Sequence, residues 1–173
     1  MSCSSPAKQV LKAVSDSLLL GTEIGSYGGT QARVKIIQRI NHEGEIDRAR
    51  FCPQNPDLLA TKAANGLTYL FDRTKHSLTP SPDGKCKPDI TLTGQKKEGY
   101  GLAWNPKKKG ELLSGSEDTT VAWWDINKYD KSNNELAPMA LFKGHSAIVE
   151  DVAWHNFSDN VFASVGDDRQ MLM

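Results

Sequence analysis

The sequence predicts an all-β fold of repeated antiparallel sheets, and three observations lead there. First, the stretch 94–125, GQKKEGYGLAWNPKKKGELLSGSEDTTVAWWD, alternates short apolar runs with turn signals. One run ends at Trp104 before Asn105-Pro106, a second spans Glu111 to Gly115 before the tight turn Glu117-Asp118, and a third ends in Trp124-Asp125. Second, the spacing recurs: the aromatic closing the first run is Phe51, Trp104 or Trp154, and nine residues before each stand His42, Gln95 and His145. Third, the last run closes in Phe71-Asp72 in one copy and Trp124-Asp125 in the next. Ten residues before Phe71 and Trp124 stand Thr61 and Ser114, and six before them stand Asn65 and Asp118. A further copy supplies His145, Ser164 and Asp168, with its own aromatic due one position past Met173.

A Trp-Asp dipeptide closing such a unit marks the WD40 repeat, a four-stranded blade of a β-propeller. The expected architecture is therefore an incomplete WD40 β-propeller, about two and a half to three blades of an expected seven. The repeats fall at 42–92, 93–142 and 143–173, the last truncated, within a repeat region 32–173 behind an irregular head 1–31. The period of about fifty residues exceeds the usual ~40–45, and the excess lies in 73–88 and 128–138, polar stretches expected as loops. A unit cut inside its third strand leads us to expect a fragment, because open sheet edges promote association.

Composition narrows the class. The chain has 173 residues, formal net charge zero and 38% hydrophobic content, which suits an ordinary globular protein. No apolar run approaches the roughly eighteen residues of a membrane-spanning helix. Cys3, Cys52 and Cys86 are scattered and form no CxxC pair, so neither a disulfide framework nor a zinc site is expected. Isolated cysteines suit a reducing compartment.

Taken in order, residues 9–14 read as a short helix and 17–22 as a strand. Residues 25–30 (GSYGGT) read as a flexible loop whose glycines lack the GxGxxG spacing of a phosphate cradle. Val34, Ile36, Ile37 and Ile40 make 32–40 a strand. In the first repeat, 44–51, 58–61 and 67–71 read as strands, with a turn at PQNP (53–56). Pro80, Pro82 and Pro88 keep the following segment out of a regular strand until Ile90–Leu92. After the second repeat, 128–138 reads as a loop and 139–142 as a strand.

The repeated polar residues invite a catalytic reading, since His145, Ser164 and Asp168 are the residue types of a nucleophilic triad. The copies His42/Thr61/Asn65 and Gln95/Ser114/Asp118 argue against it, because a triad does not recur once per blade and cannot use Gln or Asn as base and orienter. We expect instead a buried hydrogen-bond chain in each blade, running from Asp through His to the Ser or Thr hydroxyl and on to the indole of a Trp such as Trp124. No catalytic residue, metal ligand or cofactor is expected. Lys107-Lys108-Lys109 reads as a solvated turn rather than a nucleic-acid patch.

The binding signal lies at the start of the innermost strands. Four residues before each first-strand aromatic stand Asp47, Tyr100 and Glu150, and six before stand Glu45, Glu98 and Ile148. Equivalent positions face one end of a propeller channel, with Asp167 in the third tight turn near that end. Several carboxylates around one mouth create a local negative field despite zero net charge. Tyr100 adds an aromatic face for a cation. Such a mouth suits a basic, extended peptide.

The segments INHEGEIDRARFCPQNPDLLATK, QKKEGYGLAWNP, LLSGSEDTTVAWWDI and GHSAIVEDVAWH closely resemble the histone-binding WD40 family, which includes the retinoblastoma-binding proteins and the small subunit of chromatin assembly factor. The resemblance covers 40–173. It implies a seven-bladed propeller that takes a histone H3 tail at the acidic end of its channel and, as a second expectation, a helix of histone H4 on its side. It further implies a nuclear scaffold shared by chromatin-assembly, deacetylase, remodelling and Polycomb complexes, with no direct nucleic-acid or membrane contact. By motif, the implied tail-binding residues are Glu45, Asp47, Arg48, Glu98, Tyr100, Glu150 and Asp167. This chain departs from the family at Gln95, where His is usual, and at Asp47, where Asn is common.

Overall fold

The computed structural model describes the backbone of residues 9–14 and all of 35–173. Strand β1 (Gln9–Val14) pairs antiparallel with β2 (Lys35–Asn41), from Gln9 opposite Asn41 to Val14 opposite Lys35. The helix expected over 9–14 is therefore a strand. A six-residue helix is too short to be stable in water and leaves most of its backbone groups without partners, whereas pairing along β2 supplies them. The strand expected at 17–22 and the glycine loop at 25–30 lie outside the described residues.

Four strands follow as an antiparallel meander: β3 (Ile46–Cys52), β4 (Asn55–Ala63), β5 (Thr68–Asp72) and β6 (Ile90–Leu92). β4 starts inside the PQNP segment expected as a turn, and a register shift between Phe51 and Cys52 absorbs the tight connection. The second sheet begins with β7 (Leu102–Trp104), β8 (Glu111–Gly115) and β9 (Val121–Asp125). Next comes β10 (Glu135–Leu136), which pairs in parallel with β6 and so extends the first sheet. It lies in the 128–138 segment expected to be loop throughout. Strand β11 (Ala140–Phe142) completes the second sheet against β9. The third sheet consists of β12 (Val149–Trp154), β13 (Phe162–Gly166) and β14 (Met171–Leu172).

The aspartates that close β5 and β9 stop their strands by capping. The Asp72 side chain accepts from the Thr74 amide and starts a 3-10 turn over Arg73–Lys75. Asp125 accepts from the Asn127 amide and does the same over Ile126–Lys128. This gives the Phe-Asp and Trp-Asp dipeptides a local structural reason.

The sheets pack face to face, and the middle one is covered on both sides. All five residues of β8 are buried. Leu112 joins a cluster with Leu70, Leu92, Leu102 and Trp124 at the boundary with the first sheet. The adjacent Leu113 points the other way, into a cluster with Val121, Val149 and Val152 at the boundary with the third. A third cluster of Ala63, Tyr69 and Phe71 packs against Ile40 of β2. The strand alternation of period two thus feeds two cores at once.

A repeated bond fixes the order of the innermost strands β3, β7 and β12. The Trp104 indole donates to the Arg50 carbonyl at 3.1 Å, and the Trp154 indole donates to the Ala103 carbonyl at 3.0 Å. Each acceptor immediately precedes the aromatic of the previous repeat. Among the described residues, no helix is long and apolar enough to cross a membrane.

Candidate functional site

One turn geometry occurs three times at one end of the sheets. Asn65 Oδ1 accepts from the Leu67 amide at 3.0 Å. Asp118 Oδ1 accepts from the Thr120 amide at 3.1 Å, and Asp168 Oδ1 accepts from the Gln170 amide at 3.1 Å. The residue between cap and donor is left-handed in every copy: Gly66 at φ 88°, Thr119 at 71° and Arg169 at 63°. Gly66 suits that position on a second ground, since a Cβ there would lie 2.8 Å from the Lys96 and Lys97 backbone of the next sheet.

The polar network differs from sheet to sheet. In the third, His145 Nδ1 lies 2.9 Å from Asp168 Oδ2, and Nε2 lies 2.8 Å from Ser164 Oγ. Asp168 also accepts from the Ser146 amide at 3.0 Å. Burial pushes its pKa up, but these hydrogen bonds and His145 outweigh that, so it sits below the usual carboxylate value. In the first sheet His42 Nε2 reaches Thr61 Oγ1 at 2.9 Å, and burial holds this imidazole below its ordinary pKa against the opposing pull of the Gly44 and Glu43 backbone. Asn65 is exposed and turns instead to the Tyr69 hydroxyl at 2.8 Å. In the second sheet Gln95 Nε2 donates to the Ser114 and Thr120 carbonyls at 2.9 and 3.2 Å. The Ser114 hydroxyl donates to the Gly115 carbonyl, and the Trp124 indole donates to the Thr93 carbonyl at 3.2 Å. The expected hydroxyl-to-indole link is therefore replaced here by two separate backbone contacts.

The His145–Ser164–Asp168 geometry has the form of a nucleophilic triad, but Ser164 is 4% exposed and His145 6%. A groove of about 440 Å³ beside them is lined largely by apolar residues, including Phe142, Phe162 and Leu172. The bond pattern is that of a turn staple repeated from Asp118. Among the described residues, no group of three or more His, Cys, Asp or Glu side chains is placed to hold a metal ion.

The acids stand at the same end as these turns. An amide one or two residues past each second strand donates to the carbonyl that leads into the innermost strand: Ala64 to Glu45 at 3.1 Å, Glu117 to Glu98 at 2.8 Å, and Asp167 to Ile148 at 3.0 Å. This threefold bond brings Glu45, Glu98, Glu117 and Asp167 to one edge of the stack. Glu45, Glu150, Asp167 and Tyr100 are exposed, whereas Glu98, Glu117, Asp47 and Arg48 are half-buried. Arg48 Nε donates to the Tyr100 carbonyl at 2.7 Å, so its guanidinium ties β3 to the segment before β7. Glu117 was not among the expected binding residues. Its position, three after Ser114, matches that of Asp167 three after Ser164, and this correspondence was available in the sequence.

Electrostatics couples the first two sheets at this edge. Burial raises the Asp47 pKa, and the neighbouring Glu45 and Glu117 charges raise it further against the opposing pull of the Gly99 amide and Lys62. Lys62 on β4 is fully buried. Its Nζ donates to the Gly66 carbonyl at 2.7 Å and to Gln95 Oε1 at 2.8 Å.

Comparison with known proteins agrees with this architecture. The family described as WD domain, G-beta repeat matches residues 76–125 and 136–173, just over half of the chain. The chain is 65% identical over 151 residues to a protein of Mycosarcoma maydis named histone acetyltransferase type B subunit 2; the match covers 87% of this chain and 35% of that protein. The chain thus spans about a third of the length of that relative. With its repeated blades, capping aspartates and matching repeat family, the chain belongs to the WD domain, G-beta repeat (WD40) family.

Proposed function

We propose that this chain is part of a histone-binding scaffold, in which the acidic edge of the propeller receives a basic, extended tail of the histone H3 type. The threefold bond from the tight turns to the leads of the innermost strands carries the reading, because it gathers carboxylates from separate repeats on one edge. Glu45, Asp47, Glu98, Glu150 and Asp167 supply the negative field, and Tyr100 supplies an exposed ring against which an aliphatic stem or a cation can lie. Arg48 acts by positioning, since it ties the two inner strands that bear these acids. The relative's name places that protein in a histone acetyltransferase, which supports a histone partner here. By the same reading the chain works in the nucleus as a binding subunit of chromatin-assembly or chromatin-modifying complexes, acts without catalysis of its own, and has histone H4 as a second candidate partner.

Calorimetric titration of the intact protein with an H3-tail peptide tests the proposal. Joint charge reversal, Glu98→Lys with Glu150→Lys, weakens binding by at least tenfold, and raising the salt weakens wild-type binding as well. Unchanged affinity in the double variant would refute the site.

A further inference from the structure

We infer that Lys62 is a positioning residue of the acidic edge: a buried cation that pins the first sheet to the second and tempers the field felt by a cationic tail. The inference rests on the tail-binding reading above.

The geometry is specific. Lys62 lies on β4, next to the network residue Thr61, and is fully buried. Its ammonium crosses the sheet boundary to Gln95 Oε1 and also holds the Gly66 carbonyl of the tight turn. That turn presses on Lys96 and Lys97, the residues after Gln95. Gln95 occupies the position where the other two sheets carry His42 and His145. Its amide nitrogen is engaged with the Ser114 and Thr120 carbonyls, which leaves its oxygen free to accept from Lys62. A carboxamide can donate on one side and accept on the other, so glutamine suits a site that must meet both two carbonyls and an ammonium. The departure from histidine in this repeat therefore has a partner, and the partner is Lys62.

Both direct acceptors are neutral oxygens. The charges that act on Lys62 come from Asp118 in the β8–β9 turn and Asp47 on β3, with Glu45 and Glu117 beyond Asp47. Burial lowers the Lys62 pKa to about 8, and the Asp118 and Asp47 charges oppose that fall. Burial pulls the Asp118 carboxyl up, but hydrogen bonds from Thr120, Lys96 and Ser116 leave it below its ordinary value, so it is ionised throughout the neutral range. The nearby Tyr69 hydroxyl is raised above its ordinary value of 10.0 by burial and stays protonated there. As the pH rises from 7 to 9, Lys62 gives up its charge while Asp118 keeps its own. A neutral amine still donates to both acceptors, so the pin persists while the edge becomes more negative.

The experiment measures affinity for a cationic peptide between pH 6.5 and 9.5 at fixed ionic strength. The peptide is an H3-type tail with an acetylated N-terminus and every lysine replaced by arginine, so that its own charge is constant over this range. Wild-type affinity rises about two- to fivefold with a midpoint near pH 8, the effect of removing one charge at the distance of the edge. The variant Lys62→Met has no titrating group at this position and shows no such rise, whatever its absolute affinity. A flat wild-type profile overturns the inference whether or not the variant folds, and so does a Lys62→Met profile that follows wild type. The double variant Glu98→Gln with Glu150→Gln is the reference. If it binds as wild type does, the tail-binding reading itself has failed; if it loses affinity while Lys62→Met keeps the wild-type profile, only the role of Lys62 has failed.

Discussion

Replacing Gly99 with alanine probes the joint between the lead into β7 and the end of β8, where the acidic edge meets the core. Gly99 lies between Glu98 and Tyr100 and is buried. A Cβ at this position would overlap the Gly115 carbonyl oxygen and stand 2.9 Å from Ser116 Cα and 3.1 Å from the Gly115 carbonyl carbon. All three are backbone atoms, so no side chain can rotate away. Relief requires the lead into β7 to separate from the end of β8, and that movement pulls on the Glu117-to-Glu98 and Gly115-to-Gly101 hydrogen bonds. Overpacking of this kind costs roughly 1–3 kcal/mol and sometimes more, while the stiffer unfolded chain returns about 0.4–1 kcal/mol. We expect a net loss of about 2 kcal/mol, roughly a thirtyfold shift toward the unfolded state. Urea unfolding followed by tryptophan fluorescence reads this as a midpoint lower by about 1 M. Gly44→Ala is the control: its φ of 71° carries a backbone penalty, but a Cβ there meets nothing within 4 Å, so its cost stays at about 1 kcal/mol. A Gly99→Ala protein within about 0.5 kcal/mol of wild type would refute the close approach of these two segments.

Two further outcomes follow from the tight turns. Thr119 is β-branched at φ 71°, so Thr119→Gly removes a left-handed penalty of roughly 1–2 kcal/mol and adds about 0.5–1 kcal/mol of unfolded-state entropy; the variant is more stable by up to about 1.5 kcal/mol in the same urea assay. Asp168→Asn lowers the melting temperature at neutral pH, because the folded carboxylate is stabilised by the Ser146 and Gln170 amides and by His145. A depressed folded pKa contributes stability above the ordinary value near 3.8 and loses it as the pH falls below that, so the gap between wild type and variant closes in melts run below about pH 4.

The amide caps made by Asn65, Asp118 and Asp168 were not expected, since their spacing pointed to a chain of side-chain hydrogen bonds, but the tight turns at Glu117-Asp118 and Asp167 were legible in the sequence because a tight turn is a local device. The inner-strand aromatics were legible for the same reason. What spacing cannot say is where a side chain turns once it has several acceptors in reach. Gln95 reaches backbone carbonyls and Lys62 rather than the Ser114 hydroxyl, and the Trp124 indole chooses the Thr93 carbonyl. Those choices depend on contacts between sheets, which a within-repeat pattern does not encode. The two-residue strand β10 escaped for a similar reason: its parallel pairing with β6 is made to an earlier sheet, and Glu135-Leu136 has no alternation long enough to announce it. Lys62 carried no signal, because a single lysine in an apolar strand reads as solvent-facing until its two neutral partners are seen.

The indole bonds between inner strands have a temporal meaning. Trp104 and Trp154 each reach back to a carbonyl that lies earlier in the chain, at Arg50 and Ala103. During synthesis, which proceeds from the N-terminus, every such acceptor has left the ribosome before its donor has been made. Each new inner strand can therefore dock on an inner strand already made, and the inner strands can be added in the order in which they are translated.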